Sequence, residues 1–198
     1  MLLSSNPSFE VVGEAQDGLE AIRSVEAYKP DLILMDLSMP RMNGVGAIQE
    51  IKKQSPSTKI LVLTVHEESL YAERCLRAGA KGYLMKDEAM ENVLRAIRRV
   101  LTGQVYLSDK MQAKLFTDSG RRTQPALQSP LERLSDRELE VFRLLGQGLG
   151  TRRVAELLHV SISTVESHRA RIKEKLDIKC ATELLQQAVK WVETEGSE

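Results

Sequence analysis

Three short apolar runs, each closed by a polar residue of a different kind, constrain the fold of this chain more than any other feature. Leu32-Ile33-Leu34-Met35 ends at Asp36, Ile60-Leu61-Val62-Leu63 ends at Thr64, and Gly82-Tyr83-Leu84-Met85 ends at Lys86. A strand that is apolar at consecutive positions has no face to offer water. It must be covered on both sides, which is the condition of a parallel sheet. Amphipathic segments at residues 18–28, 69–78 and 88–101 supply the covering helices, with Leu19, Ile22 and Val25 on one face of the first. The run at residues 9–13, Phe9-Glu10-Val11-Val12-Gly13, reads as a further strand. Strand and helix in alternation predict a doubly wound α/β domain.

Ligands of such sheets bind beyond the carboxyl ends of the strands. A carboxylate, a hydroxyl and an ammonium therefore meet there, at Asp36, Thr64 and Lys86. That set suits phosphoryl chemistry: the carboxylate attacks phosphorus while the hydroxyl and ammonium stabilise the phosphate oxygens. A hard cation would screen the carboxylate from the incoming anion. Taken singly, each residue is explained as the start of a turn. Three together, each directly after an apolar run, point to function.

From residue 108 the pattern changes. Residues 109–116 could form a short helix, and residues 118–130, polar and broken by Pro125 and Pro130, read as a tether. Only helical signals follow. Ser135 and Glu138 form a capping box with a staple between Leu134 and Leu139, opening a helix that stops near Gly148. Further helices are expected at 151–159, 162–176 and 182–192. In the third of the four, Ile162, Val165, Ile172 and Leu176 make an apolar stripe, and Ser163, Glu166, Ser167, Ala170 and Arg171 lie opposite. A helix, a short turn and a polar helix start form the layout of a helix-turn-helix, whose second helix enters the major groove. Ser161 reads as the cap of that helix; the alternative is Ser163, with Glu166 completing a capping box. His168, Trp191 and Met39 read as packing residues.

Charge narrows the options. Lysine and arginine number 28 and aspartate and glutamate 28, so the chain is no bulk polycation and any nucleic-acid contact must be local. The local excess is in the helical half, where Arg152, Arg153, Arg169, Arg171, Lys173, Lys175 and Lys179 outnumber Glu156, Glu166, Glu174 and Asp177. On charge alone a solvated structural helix is the better explanation of that excess. Cys75 and Cys180 are too few for a disulfide framework or a Cys-rich zinc site. No apolar run approaches the roughly 18 residues of a membrane span, and the N-terminus lacks a signal peptide's pattern, so a cytoplasmic protein without membrane contact is expected.

Two resemblances carry the reading further. Leu34-Met35-Asp36-Leu37-Ser38-Met39-Pro40-Arg41-Met42-Asn43-Gly44 resembles the phosphoacceptor strand and loop of two-component response-regulator receivers, and Ala78-Gly79-Ala80-Lys81-Gly82-Tyr83 also fits. The resemblance implies that Asp36 is phosphorylated by a sensor histidine kinase and that Thr64 and Lys86 contact the phosphate. It also implies that the Ser38 carbonyl and Asp36 are ligands of Mg²⁺, and that Tyr83 is an aromatic switch. It covers residues 9–102, without the family's first strand and its acidic pair. A receiver-like, flavodoxin-like domain lacking that strand, with impaired Asp36 phosphorylation, is therefore expected. A late-assigned start and a genuine loss both remain open.

Leu134-Ser135-Asp136-Arg137-Glu138-Leu139-Glu140-Val141 and Thr164-Val165-Glu166-Ser167-His168-Arg169 resemble the LuxR-type helix-turn-helix domain. That likeness implies DNA contact by Thr164, Glu166, Ser167, Ala170, Arg171 and Lys173, and dimerisation through the last helix. The expected organisation is a receiver over 1–107, a linker over 108–130 and a DNA-binding domain over 131–198. The expected function is a transcription regulator, not an enzyme, that binds paired half-sites of double-stranded DNA as a homodimer under control of Asp36. The alternatives are a regulator independent of phosphorylation, with the receiver as dimerisation platform, and a small phosphotransferase with Asp36 as nucleophile.

Overall fold

The computed structural model describes residues 3, 6–39, 42, 44–66, 68–113 and 130–195. They divide into two compact units, one within residues 1–119 and one within 120–198. Most of the expected tether lies outside the described residues.

The first unit is built on three parallel strands, β1 (Leu32–Met35), β2 (Lys59–Thr64) and β3 (Gly82–Met85), in the order β1-β2-β3. Leu32 pairs with Lys59, and Leu61 with Gly82. The continuous apolar runs are explained by where β2 lies: as the central strand it has Ile60, Leu61 and Val62 fully buried. Helices α1 (Gly18–Tyr28), α2 (Gly44–Gln54), α3 (Glu68–Ala78) and α4 (Met90–Leu101) cover the sheet. Val93, Ala96, Ile97 and Val100 of α4 form one core cluster with Leu61 and Leu84, onto which Leu3, Phe9, Leu32, Leu34 and Tyr106 pack. Asp17 caps α1 by accepting from the Leu19 and Glu20 N–H groups at 2.9 and 3.0 Å.

One expectation for this unit needs amendment, and two features had no expectation attached to them. Residues 9–15 contain no strand, and Val11 and Val12 are exposed. A strand exists through its partner's hydrogen bonds, and among the described residues no backbone bond joins this segment to β1. Phe9 is instead turned onto the α4 cluster. Helix α2 went unread because the loop before it dominates the local signal, although Val45, Ile48 and Ile51 carry its buried face. Tyr106 adds an unforeseen bridge beside β3, exchanging hydrogen bonds with Lys81 and Tyr83. Beyond it, Ser108 caps the helical residues 109–113 and is itself held by the Glu68 carboxylate, which accepts from the Ser108 N–H at 2.9 Å.

The second unit is helical: a 3-10 turn (Pro130–Arg133), then α5 (Asp136–Gly146), α6 (Thr151–Leu157), α7 (Ile162–Lys175) and α8 (Ala181–Glu195). The capping box forms as expected, and the proposed staple residues Leu134 and Leu139 are both buried. Gly146 lets α8 approach: a β-carbon there would lie 2.4 Å from the Ala188 carbonyl oxygen. Helix α6 stops before 159 because His159 adopts a left-handed conformation, φ 52°, which turns the chain toward α7. Along α7, Val165 and Ile172 are buried, whereas Ile162 is 47% exposed and does not belong to the apolar stripe. It is the first residue of α7. Trp191 packs on Phe142, with ring centroids 5.6 Å apart.

Candidate phosphoryl site and nucleic-acid interface

The parallel strands deliver the predicted triad to one sheet edge. Asp36 follows β1 directly, and one carboxylate oxygen accepts from Lys86 Nζ at 2.7 Å while the other accepts from the Ser38 N–H at 3.1 Å. The Thr64 hydroxyl, at the end of β2, is close enough to this carboxylate to favour its charged form. Lys86 is registered against β2 by its own N–H, which donates to the Thr64 carbonyl at 2.8 Å. Burial by itself would raise the Asp36 pKa. The hydrogen bonds from Lys86 and Ser38, the charge of Lys86 and the nearby Thr64 hydroxyl outweigh it, holding the carboxyl below its ordinary value. The group is an anion, ordered and partly shielded, beside an ammonium and a hydroxyl.

Behind the site, Tyr83 is buried, and its hydroxyl donates to the His66 carbonyl at 2.9 Å, pinning the chain between β2 and α3. Burial drives the phenol pKa strongly upward, so this hydroxyl stays a donor. His66 is a participant that sequence reading missed. Its Nε2 lies 2.9 Å from Ser38 Oγ, and its ring stacks on Tyr71 at 4.8 Å. No spacing rule links residues 38 and 66; only the parallel register brings them together.

In the second unit, α7 begins with the expected cap. Ser161 accepts from the Thr164 N–H at 3.1 Å, and the Thr164 hydroxyl lies 2.8 Å from Ser161 Oγ. Glu166, Ser167, Ala170 and Arg171 are all exposed, at positions that share one helix face. Thr164 and Lys173 are half-buried, so they stand off that face. Glu166 does not complete a capping box with Ser163. Its carboxylate accepts from the Thr151 hydroxyl at 2.9 Å and from Arg169 at 3.0 Å. His168 packs inward, its buried Nδ1 without a hydrogen-bond partner among the described residues, and burial together with the nearby Arg137 lowers its pKa.

Comparison with known proteins agrees with both halves. Residues 2–98 match the response regulator receiver domain, and residues 132–188 match the bacterial regulatory proteins of the luxR family. The oxygen regulatory protein NreC of Staphylococcus aureus is 41% identical over 194 residues, covering 96% of this chain and 89% of that protein. The chain belongs to the LuxR family of two-component response regulators. Among solved structures, RcsB of Salmonella typhimurium resembles it with a TM-score of 0.65 at 25% identity, covering 95% of this chain and 88% of that one. A second RcsB structure, from Salmonella enterica serovar Typhimurium, is bound to the promoter rprA in the presence of the phosphomimetic BeF3-. It gives 0.59 at 26% identity and covers 93% and 88%.

Receivers as a class use Mg²⁺, and the residues present can be tested against it. Mg²⁺ wants six oxygen ligands in near-octahedral array. At this edge the described residues offer the Asp36 carboxylate, already engaged by Lys86 and Ser38, and the Ser38 carbonyl. Among the described residues no group of three His, Cys, Asp or Glu side chains could hold a metal. Among the described residues the donor set is therefore incomplete: one carboxylate and a backbone carbonyl would hold the ion, with water or phosphate oxygens supplying the other positions. Among the described residues, too, no helix is long and apolar enough to cross a membrane.

Proposed function

We propose that this response regulator works in the cytoplasm, binding paired half-sites of double-stranded DNA as a homodimer through α7, and that Asp36 is the phosphoacceptor controlling it. The observation that carries the second part is the Asp36–Lys86 contact at 2.7 Å, with the Thr64 hydroxyl near the same carboxylate. In the transfer, an Asp36 oxygen attacks phosphorus and forms the new P–O bond. The bond from phosphorus to the donor breaks, and the leaving group, on a sensor histidine kinase or a small acyl phosphate, keeps the electron pair. Lys86 and Thr64 then take the new phosphoryl oxygens. A Thr64 hydroxyl drawn to the phosphate moves the chain toward His66, whose carbonyl holds Tyr83. Residues 1–107, 108–130 and 131–198 serve as receiver, linker and DNA-binding domain.

A second reading, a regulator that works without phosphorylation, is favoured by two observations: Lys86 already pairs with the Asp36 charge, and the described residues do not complete a cation site. Incubating the full chain with an acyl phosphate and Mg²⁺, followed by intact-mass measurement and DNA binding, separates the two. Addition of one phosphoryl group that Asp36→Asn abolishes, with tightened DNA binding, supports phosphorylation control. DNA binding that the acyl phosphate leaves unchanged, with no mass gain, supports the second reading.

A further inference from the structure

Glu166 sits at the centre of a closed hydrogen-bond cycle that joins the two helices of the helix-turn-helix. Arg169 Nη1 donates to Thr151 Oγ1 at 2.6 Å and to Glu166 Oε1 at 3.0 Å, while Thr151 Oγ1 donates its own proton to Glu166 Oε1 at 2.9 Å. The proton count is complete: two hydrogens on one guanidinium nitrogen and one on the hydroxyl, each with its acceptor. Burial distinguishes this from an ordinary surface pair. The Arg169 side chain is 16% exposed and that of Glu166 53%. The nearby Arg153–Glu156 pair is open at both ends, as surface pairs of small worth usually are. Both donors converge on one carboxylate oxygen, and among the described residues no hydrogen bond engages Oε2, which is left to accept from outside.

We infer that Arg169 and Thr151 are positioning residues that hold the Glu166 carboxylate so that Oε2 reads an amino group on a base edge, cytosine N4 being the best match. Arg169 accordingly serves the glutamate and is not a phosphate contact. The inference rests on the reading of α7 as the helix that enters the major groove. A glutamate facing DNA is repelled by phosphate, so it contributes to choice of sequence more than to affinity. Its long side chain has several rotamers, and fixing one of them before binding removes the ordering cost that would otherwise weaken the discrimination.

The test uses the full chain and a library of duplexes randomised over the bound sequence, with wild type, Glu166→Ala, Arg169→Met, Arg169→Lys and Thr151→Val. Salt dependence of binding is measured alongside. Glu166→Ala is expected to lose preference at one base position by about tenfold. Arg169→Met and Thr151→Val should flatten the preference at that same position, with the salt slope unchanged, and Arg169→Lys should restore part of it. If Glu166→Ala leaves every preference intact, the base-reading role fails and the inference with it. If Glu166→Ala relaxes a position that Arg169→Met and Thr151→Val leave untouched, the reading of α7 stands and the positioning role is overturned. Uniform weakening by Arg169→Met, with the salt slope reduced by about one, marks a phosphate contact and also overturns it. Should Arg169→Met unfold by circular dichroism, Thr151→Val, which removes one hydroxyl from the cycle, decides alone.

Discussion

Two ion pairs show how the same residue types acquire different duties. At Asp36 the lysine partner is also a candidate phosphate ligand, and the pair stands at an accessible edge. Replacing Lys86 by methionine removes the charge and the hydrogen bond while the burial of Asp36 persists. The Asp36 pKa should then rise, as read from the pH titration of its carboxyl carbon by NMR. The wild-type sign is the opposite: a carboxyl held below 3.8 contributes stability above that pH and loses it as pH falls through the folded value. At Glu138 the duty is structural. The carboxylate is buried, and Lys175 of α7 and the Ser135 N–H both donate to it, at 2.6 and 2.7 Å. Burial raises its pKa, but Lys175 and Ser135 overcome that and bring it below 4.5. Stability from this group is therefore present above about pH 4.5 and lost as pH falls through the lower folded value. Lys175→Met should cost about 1–3 kcal/mol at neutral pH by urea denaturation, and the loss should shrink toward acid.

Capping and close approach decide the elements. Helix α7 presents polar residues along much of its length, and only Val165 and Ile172 are fully buried in it. Its start therefore depends on Ser161, whose side chain takes the Thr164 N–H. Ser161→Ala should lower stability by about 1 kcal/mol, seen as a reduced melting temperature. Ser163→Ala should cost less, because the Ser163 side chain reaches Ser161 Oγ and caps no backbone group. In the first unit, Gly44 opens α2 where a β-carbon would lie 2.5 Å from the Asp36 carbonyl oxygen, so the helix start and the phosphoryl site share one tight contact.

The whole molecule comprises two compact units, each with a core of its own. The second unit has its own capping box, buried aromatic pair and apolar core. A fragment from Leu131 onward should fold by circular dichroism and bind DNA with an affinity that falls steeply as salt rises. An unfolded fragment would refute that independence. The first unit has its own anchor for the outgoing chain, since Glu68 at the start of α3 holds Ser108.

Periodicity and punctuation alone determined the three strands, the residue that ends or follows each, and the capping box at Ser135. These are local properties: an apolar run that cannot face water, and a side chain that must satisfy its own helix end. The loop before α2 hid that helix, and the valine run at 9–13 looked like a strand because its pattern is one. Whether it becomes one depends on a partner's hydrogen bonds, which lie elsewhere in space. The same holds for His66 beside Ser38, Tyr106 beside β3, and Thr151 beside Glu166 and Arg169. Each joins positions whose separation in sequence follows no period, and only packing in three dimensions sets those distances.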